Sequence, residues 1–183
     1  MPRRWPRRWL YVQQTAALAI ALCLPTAYAQ MPQEYAVKAG FLYNFSKFVE
    51  WPAGTFSDTN FVLCVVGADP FEAVLDKLNG KLVGGRPLVV KRYSAAGPLG
   101  QCQILFVSDS EKRRISEILV AIGKAPVLLV GEMENFVQLG GMIQFVTTDK
   151  GIQFEVNVET ARWHGLQFSA RLLQLAGTVI GGK

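Results

Sequence analysis

Three short runs of uninterrupted apolar residues dominate the hydrophobic pattern of this chain. They cover Phe61–Gly67, Ile104–Val107 and Pro126–Val130, and turn-forming or capping residues follow each of them. A run of this length without polar alternation is typical of a strand that is buried on both faces, as in the middle of a parallel sheet. We therefore predict three central strands and expect the rest of the chain to be arranged around Phe61–Gly67.

Amphipathic segments lie between and before these strands. Residues 33–50 place aromatic and aliphatic side chains mostly at three- and four-residue steps, with Glu34 and Lys38 on the opposite side. This spacing predicts a helix that ends at Trp51-Pro52, because a residue before proline is disfavoured in helical conformation. Further helices are predicted over residues 70–78, 111–122 and 134–139, a glycine-containing turn over 81–86, and a strand over 87–93.

The C-terminal part of the chain follows a different pattern. Met142–Thr147 and Ile152–Asn157 flank a turn that contains Asp149 and Gly151, which predicts an antiparallel hairpin. The last apolar residues predict one helix from about Val158 to Val179, kinked near Gly165. Strands that alternate with helices predict the α/β class, here a three-layer α/β sandwich with a mixed, mostly parallel sheet and the antiparallel hairpin at one side.

The first 29 residues have the features of a signal peptide. Four arginines (Arg3, Arg4, Arg7 and Arg8) precede an apolar run, and Ala27-Tyr28-Ala29 follows it. The alternative interpretation is a membrane anchor, but the apolar run has roughly ten residues where a spanning helix needs about 20. We predict cleavage after Ala29, an exported protein, and a single domain over residues 30–183.

The charge of the chain changes when the leader is removed. The full sequence has 19 basic and 14 acidic residues, and four arginines but no acidic residue belong to the leader. Fifteen basic and fourteen acidic residues remain, so the net charge of the exported domain is +1. The only basic run left is Lys112–Arg114, which is too short for the basic stripe of a nucleic-acid-binding domain. We expect no nucleic-acid partner.

Two cysteines remain in the exported domain. Cys64 lies at the centre of the first apolar run, and Cys102 lies just before Ile104–Val107. An oxidising compartment favours a disulfide between them, provided that the two strands are neighbours. Such a bond would stabilise the domain by about 4 kcal/mol in the chain-entropy model. The alternative is a pair of buried thiols that serve as small core residues.

Catalytic and cofactor-binding patterns are absent from the sequence. His164 is the single histidine, and no nucleophile elbow, metal-spaced cluster or phosphate-binding loop occurs. We therefore expect a protein that is not an enzyme and binds no metal or cofactor.

Two groups of residues are candidates for binding a partner or a ligand. Phe48, Trp51 and Pro52 place aromatic rings beside a rigid turn, and tryptophan is enriched in protein interfaces. Arg162 and His164 flank Trp163 and could bind a carboxylate or an aromatic ligand. Packing of Trp51 on its own core, and solvated polar side chains around Trp163, are the alternatives. Arg171 is a further candidate, for which we expect a salt bridge.

Several ordered blocks of the chain resemble the YfiR family of periplasmic proteins. The resemblance rests on the following segments: Tyr35–Pro52 with its ending Phe-Val-Glu-Trp-Pro, Leu63–Gly67 with Asp69–Phe71, Cys102–Val107, Phe136–Gly141, Phe154–Asn157 and Arg171–Leu173. Together they span nearly the whole of residues 30–183.

This resemblance implies a periplasmic repressor with an α/β sandwich fold. Characterised members bind the periplasmic portion of an inner-membrane diguanylate cyclase and so lower cyclic-di-GMP signalling and biofilm formation. An outer-membrane, peptidoglycan-associated lipoprotein relieves the repression, and the members are dimers. Cys64 and Cys102 match a family disulfide, whereas a second disulfide of the best-studied member has no cysteines here. The alternatives are a periplasmic small-molecule sensor that uses Arg162 and His164, and an accessory protein of a cell-envelope receptor.

Overall fold

A computed structural model describes residues 27–56, 59–94 and 97–182. Most of the predicted leader lies outside these residues, and only residues 27–29 of it are described, at the beginning of the first helix. This helix, α1, covers Ala27–Phe48 and leads directly into the short strand β1, Val49–Glu50. Among the described residues, no helix combines the length and the apolar character that a membrane-spanning segment requires.

One large mixed sheet forms the centre of the fold. Its strands lie in the spatial order β10-β8-β7-β6-β5-β2-β4-β3. In chain order they are β2 (Phe61–Val66), β3 (Leu82–Val83), β4 (Arg86–Tyr93), β5 (Ile104–Val107), β6 (Leu128–Gly131), β7 (Ile143–Thr148), β8 (Gly151–Asn157) and β10 (Thr178–Ile180).

The pairing of the strands confirms a mostly parallel sheet with an antiparallel hairpin at one side. Strand β2 pairs in parallel with β4 on one side and with β5 on the other, and β5–β6 and β6–β7 are parallel too. The predicted hairpin is β7–β8, with Phe145 opposite Phe154. Two pairings were not predicted, since β3 pairs antiparallel with β4 and β10 pairs in parallel with β8.

The three central strands are buried along their whole length. Every residue of β2, β5 and β6 is buried, as the uninterrupted apolar runs predict. A strand without an exposed residue must be covered on both faces of its sheet. This observation confirms the α/β sandwich.

Helix α1 packs on the hairpin side of the sheet through phenylalanine rings. The ring centroids of Phe45 and Phe154 are 5.1 Å apart at an interplanar angle of 71°, and those of Phe41 and Phe154 are 5.6 Å apart at 64°. Edge-to-face pairs at these distances stabilise by about 1 kcal/mol beyond their buried area. The aromatic face of residues 33–50 is therefore a packing face of the core.

The prediction of one long C-terminal helix is wrong. The segment contains helix α4 (Val158–Trp163), strand β9 (Gln167–Phe168), helix α5 (Ala170–Leu175) and strand β10. Gly165 adopts a φ of +77°, which ends a helix because only glycine takes this conformation readily. Ser169 then begins a new helix, since its Oγ accepts a hydrogen bond from the N–H of Leu172 at 3.3 Å.

Smaller differences occur in the shorter helices. The helix predicted over residues 70–78 is only Ala73–Asp76 (α2), and the one predicted over 111–122 is a 3-10 helix, Asp109–Arg114, followed by α3, Ile115–Ile122. Residues 134–139 form a succession of turns instead of a helix. The remaining 3-10 helix, Leu99–Gln101, leads to β5.

Candidate functional site

The predicted disulfide between Cys64 and Cys102 is present. Cys64 lies in the middle of β2, Cys102 lies two residues before β5, and their Cα atoms are 5.9 Å apart. Gln103 reinforces this junction, since its Oε1 accepts a hydrogen bond from the N–H of Val62 at 2.7 Å and its own N–H donates to the carbonyl of Val62 at 2.9 Å. Covalent and hydrogen bonds therefore join neighbouring central strands at one position.

The aromatic residues at the end of α1 are partly built into the core. Phe48 and Trp51 are half-buried, whereas Pro52 is exposed. The Trp51 ring packs edge-on against Phe61, with centroids 5.3 Å apart at 89°, and Phe56 lies beside it at 6.3 Å. These contacts favour the interpretation in which Trp51 packs against its own core over the one in which it is a fully exposed interface residue.

Arg162 and His164 do not converge on one ligand position. His164 is buried, with 7 % of its surface exposed, and its Nδ1 lies 2.8 Å from the carbonyl oxygen of Ala125. A carbonyl can only accept, so Nδ1 carries the proton of this bond. Arg162 is exposed at the end of α4 and lines a separate cavity of about 340 Å³ together with Leu166 and Phe168.

Trp163, between these two residues, is the most exposed aromatic ring of the region. It has 56 % of its surface exposed, stacks edge-on against His164 at 4.7 Å, and has the Nζ of Lys124 5.4 Å from its centroid. The ring therefore presents a large apolar surface beside a cation. Large exposed aromatic side chains of this kind are typical of contact surfaces.

The structure brings the two predicted groups together on one face. Strand β1, which follows Phe48, pairs antiparallel with β9, and Val49 lies opposite Phe168. The N–H of Ser169 donates to the carbonyl of Phe48 at 2.9 Å. At Gly165, an added Cβ would lie 3.5 Å from the Cγ of Pro52. We use the term β1–β9 face for the exposed residues Pro52, Arg162, Trp163 and Arg171, which belong to the segments that this pairing joins.

The expected salt bridge of Arg171 is not formed with any residue that the structure describes. Arg171 lies on α5 and is exposed, and none of the six ion pairs found within the described ranges includes it. Its guanidinium is thus a positive charge on the β1–β9 face. Arg162 and Lys124 add further positive charges, while Glu50 of β1 and Glu159 of α4 are exposed acidic residues of the same segments.

A buried ion-pair cluster near the beginning of α1 was not predicted from the sequence. Lys38, placed on the solvent side by the helical pattern, has only 3 % of its side chain exposed. Its Nζ contacts the carboxylates of Glu34 and Glu132 at 2.5 Å each, and the hydroxyl of Tyr35 donates to Glu132 at 3.1 Å. The four-residue spacing of Glu34 and Lys38 was the only signal of this cluster in the sequence.

The cluster perturbs the titration of its members. The hydrogen bond from Lys38 holds the pKa of Glu34 below its ordinary value, because it stabilises the ionised carboxylate. Burial raises the pKa of Tyr35, and the nearby Glu132 carboxylate adds to this effect by disfavouring a second negative charge. All members have partners within the cluster. We therefore interpret the cluster as a structural interaction that holds α1 against the sheet.

The described residues do not form a cluster of metal-ligating side chains. Over these ranges, no three histidine, cysteine or acidic side chains come together in a way that could hold a metal ion. The candidate site therefore consists of exposed aromatic and charged side chains on a disulfide-bonded α/β sandwich.

These features define a small, disulfide-bonded α/β domain with exposed aromatic and charged side chains beside the β1–β9 pair. The chain belongs to the YfiR/HmsC-like family, whose model matches residues 35–177. A search of the curated proteins found no significant match.

Solved structures share the fold. One of them is a conserved domain protein from Vibrio cholerae O1 biovar El Tor strain N16961, with a TM-score of 0.52 and 13 % sequence identity. The alignment covers 65 % of this chain and 54 % of that one, so the chain spans about half the length of this relative. At such an identity the likeness supports the fold alone.

Proposed function

We propose that this protein is an exported regulatory protein that represses an inner-membrane diguanylate cyclase by binding its periplasmic portion. The observation that carries the proposal is the family match over residues 35–177, which includes nearly all of the folded domain. The buried disulfide is consistent with an oxidising compartment, where such bonds persist. The protein would lower cyclic-di-GMP signalling and biofilm formation without contacting cyclic-di-GMP itself.

The proposed mechanism is a shift of a binding equilibrium. A repressor stabilises the inactive conformation of its partner only to the extent that it binds that conformation more tightly than the active one. We propose the β1–β9 face as the contact surface, because Arg162, Trp163 and Arg171 are all exposed in the segments that follow β8 and flank β9. An acidic surface of the cyclase would match the charge of these arginines.

Dimer formation and release of repression remain part of this proposal. By analogy with the family, the repressor would act as a homodimer, and an outer-membrane lipoprotein bound to peptidoglycan would sequester it. The Cys64–Cys102 disulfide, which joins β2 to the residue segment before β5, would help to hold the contact surfaces in a fixed orientation.

A deletion strain complemented with variants tests the proposed function. Loss of the gene should raise cellular cyclic-di-GMP and biofilm mass, and the wild-type protein should restore both to their original level. Arg162→Glu should fail to restore them because it reverses the charge of an exposed residue of the β1–β9 face. Arg113→Glu, an equally exposed arginine on the 3-10 helix Asp109–Arg114, is the matched control and should complement fully.

A single measurement in the deletion strain can contradict the proposed repressor function. Unchanged cyclic-di-GMP in the deletion strain, measured where the matching cyclase is present, would remove this function. Crosslinking from the β1–β9 face followed by mass spectrometry would then identify the actual partner of a cell-envelope accessory protein.

A small-molecule sensor is the second candidate. The cavity of about 340 Å³ that Arg162 and Phe168 line is large enough for a small ligand and offers one cation beside an aromatic ring. His164 would not take part, because its Nδ1 already bonds to Ala125. Thermal-shift measurements on the exported protein with amino acids and cofactors would detect such a ligand.

A further inference from the structure

A further cavity, distinct from the one that Arg162 and Phe168 line, lies beside Trp51. It is an open pocket lined by the end of α1, the beginning of β2 and the β3–β4 hairpin, and its volume is about 470 Å³. Small-ligand sites in proteins have volumes of about 300 to 1,000 Å³. We call it the aromatic pocket and define it by Lys47, Trp51, Phe56, Phe61, Val83 and Arg86.

Three aromatic rings form the apolar wall of the aromatic pocket. Trp51 packs edge-on against Phe61 at 5.3 Å, and Phe56 lies 6.1 Å from Phe61 and 6.3 Å from Trp51. All three rings are anchored at least in part in the core, so their positions are set by packing. The wall therefore offers a preformed apolar surface against which an apolar or aromatic group can pack.

The polar side of the aromatic pocket is positively charged. The guanidinium carbon of Arg86 lies 4.8 Å from the centroid of Phe56, and the Nζ of Lys47 lies 4.0 Å from that of Tyr43. Neither cation forms an ion pair with a described residue, and the described lining of the pocket contains no acidic side chain. Two cations without an acidic partner among the described residues favour an anion at this concave surface.

A buried hydrogen-bond donor without an acceptor lies in the same wall. The Nε1 of Trp51 is the one buried side-chain polar atom without a hydrogen-bond partner among the described residues. Buried donors of this kind are rare in folded proteins, and leaving one without an acceptor costs about 1 to 3 kcal/mol. Because this atom is buried, a ligand in the aromatic pocket would contact the ring of Trp51 and not its N–H.

We propose that the aromatic pocket binds a small carboxylic acid with an apolar body. The carboxylate would be bound by Arg86, whose guanidinium can donate two parallel hydrogen bonds, and by the ammonium of Lys47. The apolar body would pack against Trp51, Phe56 and Phe61. This site differs from the cavity beside Arg162, and it does not depend on the identity of the protein partner.

The indole groups of the exported protein provide a direct test. Of the four tryptophans in the chain, only Trp51 and Trp163 lie within residues 30–183, so two indole N–H signals are expected in a ¹⁵N-correlated NMR spectrum. Trp163→Phe removes one signal and assigns the other to Trp51. Titration with phenylacetate should shift the Trp51 signal in a saturable manner and leave that of Trp163 in place.

Two comparisons separate specific binding from adsorption of an apolar molecule. Phenylacetamide, which has the same ring but no charge, should bind at least about tenfold more weakly, as should the variant Arg86→Gln with phenylacetate. Arg162→Gln, which alters the other cavity, should leave the affinity unchanged. Lys47→Gln provides a second variant if Arg86→Gln fails to fold.

Clear results would overturn the proposal. Equal affinity for phenylacetate and phenylacetamide would show that charge plays no part, and unchanged binding in both Arg86→Gln and Lys47→Gln would place the ligand elsewhere. A lack of saturable shifts with phenylacetate and with a branched aliphatic acid such as isovalerate would exclude this ligand class.

Discussion

Lys38 is the residue at which the sequence pattern and the structure differ most. Its Nζ contacts two carboxylates, on Glu34 one helical turn away and on Glu132 directly after β6, while almost none of its side chain is exposed. A helical pattern reveals the first of these contacts but not the second, because Glu132 is 94 residues away in the sequence. Only the assembled sheet brings β6 next to the helix.

Replacement of Lys38 should destabilise the domain strongly. Lys38→Met keeps the length of the side chain but leaves Glu132, which is largely buried, without its cation. Removing one partner of a buried ion pair costs about 3 kcal/mol, somewhat less here because Glu34 is partly exposed. The measurement is the free energy of unfolding in urea.

The control for this prediction is another lysine. Lys112→Met, at an exposed position of the 3-10 helix Asp109–Arg114, should change the free energy of unfolding by less than about 0.5 kcal/mol. Equal stability of Lys38→Met and the wild type would mean that the cluster does not lock α1 to the sheet.

At the scale of elements, the strands were easier to predict than the C-terminal helices. The runs that became β2, β5 and β6 are apolar at every position, and burial on both faces of the sheet explains such a run in a globular domain. The hairpin β7–β8 was marked by its turn residues. After Val158, by contrast, apolar residues at irregular steps are compatible with one helix as well as with two short helices and two short strands.

Tertiary contacts decide this ambiguous segment. Strand β9 exists because β1 pairs with it, and β10 exists because the edge of β8 accepts a parallel neighbour. Neither partner can be identified from the local sequence. The same pairing joins the two predicted binding groups into the β1–β9 face, so their adjacency could not be predicted from the residues alone.

Two glycines should respond in opposite directions to substitution by alanine. Gly165 has a φ of +77°, where a Cβ is strained by about 1 to 2 kcal/mol, so Gly165→Ala should lower the free energy of unfolding by about that amount. Gly40 lies inside α1 with no atom within 4 Å of an added Cβ. Gly40→Ala should therefore raise the free energy of unfolding by about 1 kcal/mol.

Thermal and urea unfolding of the two variants measure this difference. The pair contains the same chemical change, so its sign depends only on the local backbone conformation. Stabilisation by Gly165→Ala would contradict the break between α4 and β9, and destabilisation by Gly40→Ala would contradict the open helical environment of Gly40.

At the scale of the whole molecule, the disulfide links the stability of the fold to the compartment in which it forms. The bond joins β2 to the residues before β5 across a sequence separation of 38 residues. Closing a loop of this length stabilises a domain by about 4 kcal/mol in the chain-entropy model, which is a large part of the stability of a typical domain. Both cysteines are buried, so alanine can replace them without exposing a polar group.

The last prediction concerns the exported protein and its thiols. The chain has three cysteines, and the third, Cys23, belongs to the predicted leader. Protein isolated from the periplasm should begin at Gln30 and show no free thiol after denaturation, whereas a product that retains the leader should show one. Mass spectrometry under non-reducing conditions measures the free thiols.

The free energy of unfolding of the Cys64→Ala/Cys102→Ala double variant should be about 4 kcal/mol lower than that of the wild type. The variant should also accumulate less in the periplasm, since domains of marginal stability are degraded more readily. Urea unfolding measures the difference in stability. Two free thiols in the periplasmic protein, or equal stability of the double variant, would show that the domain does not depend on oxidation.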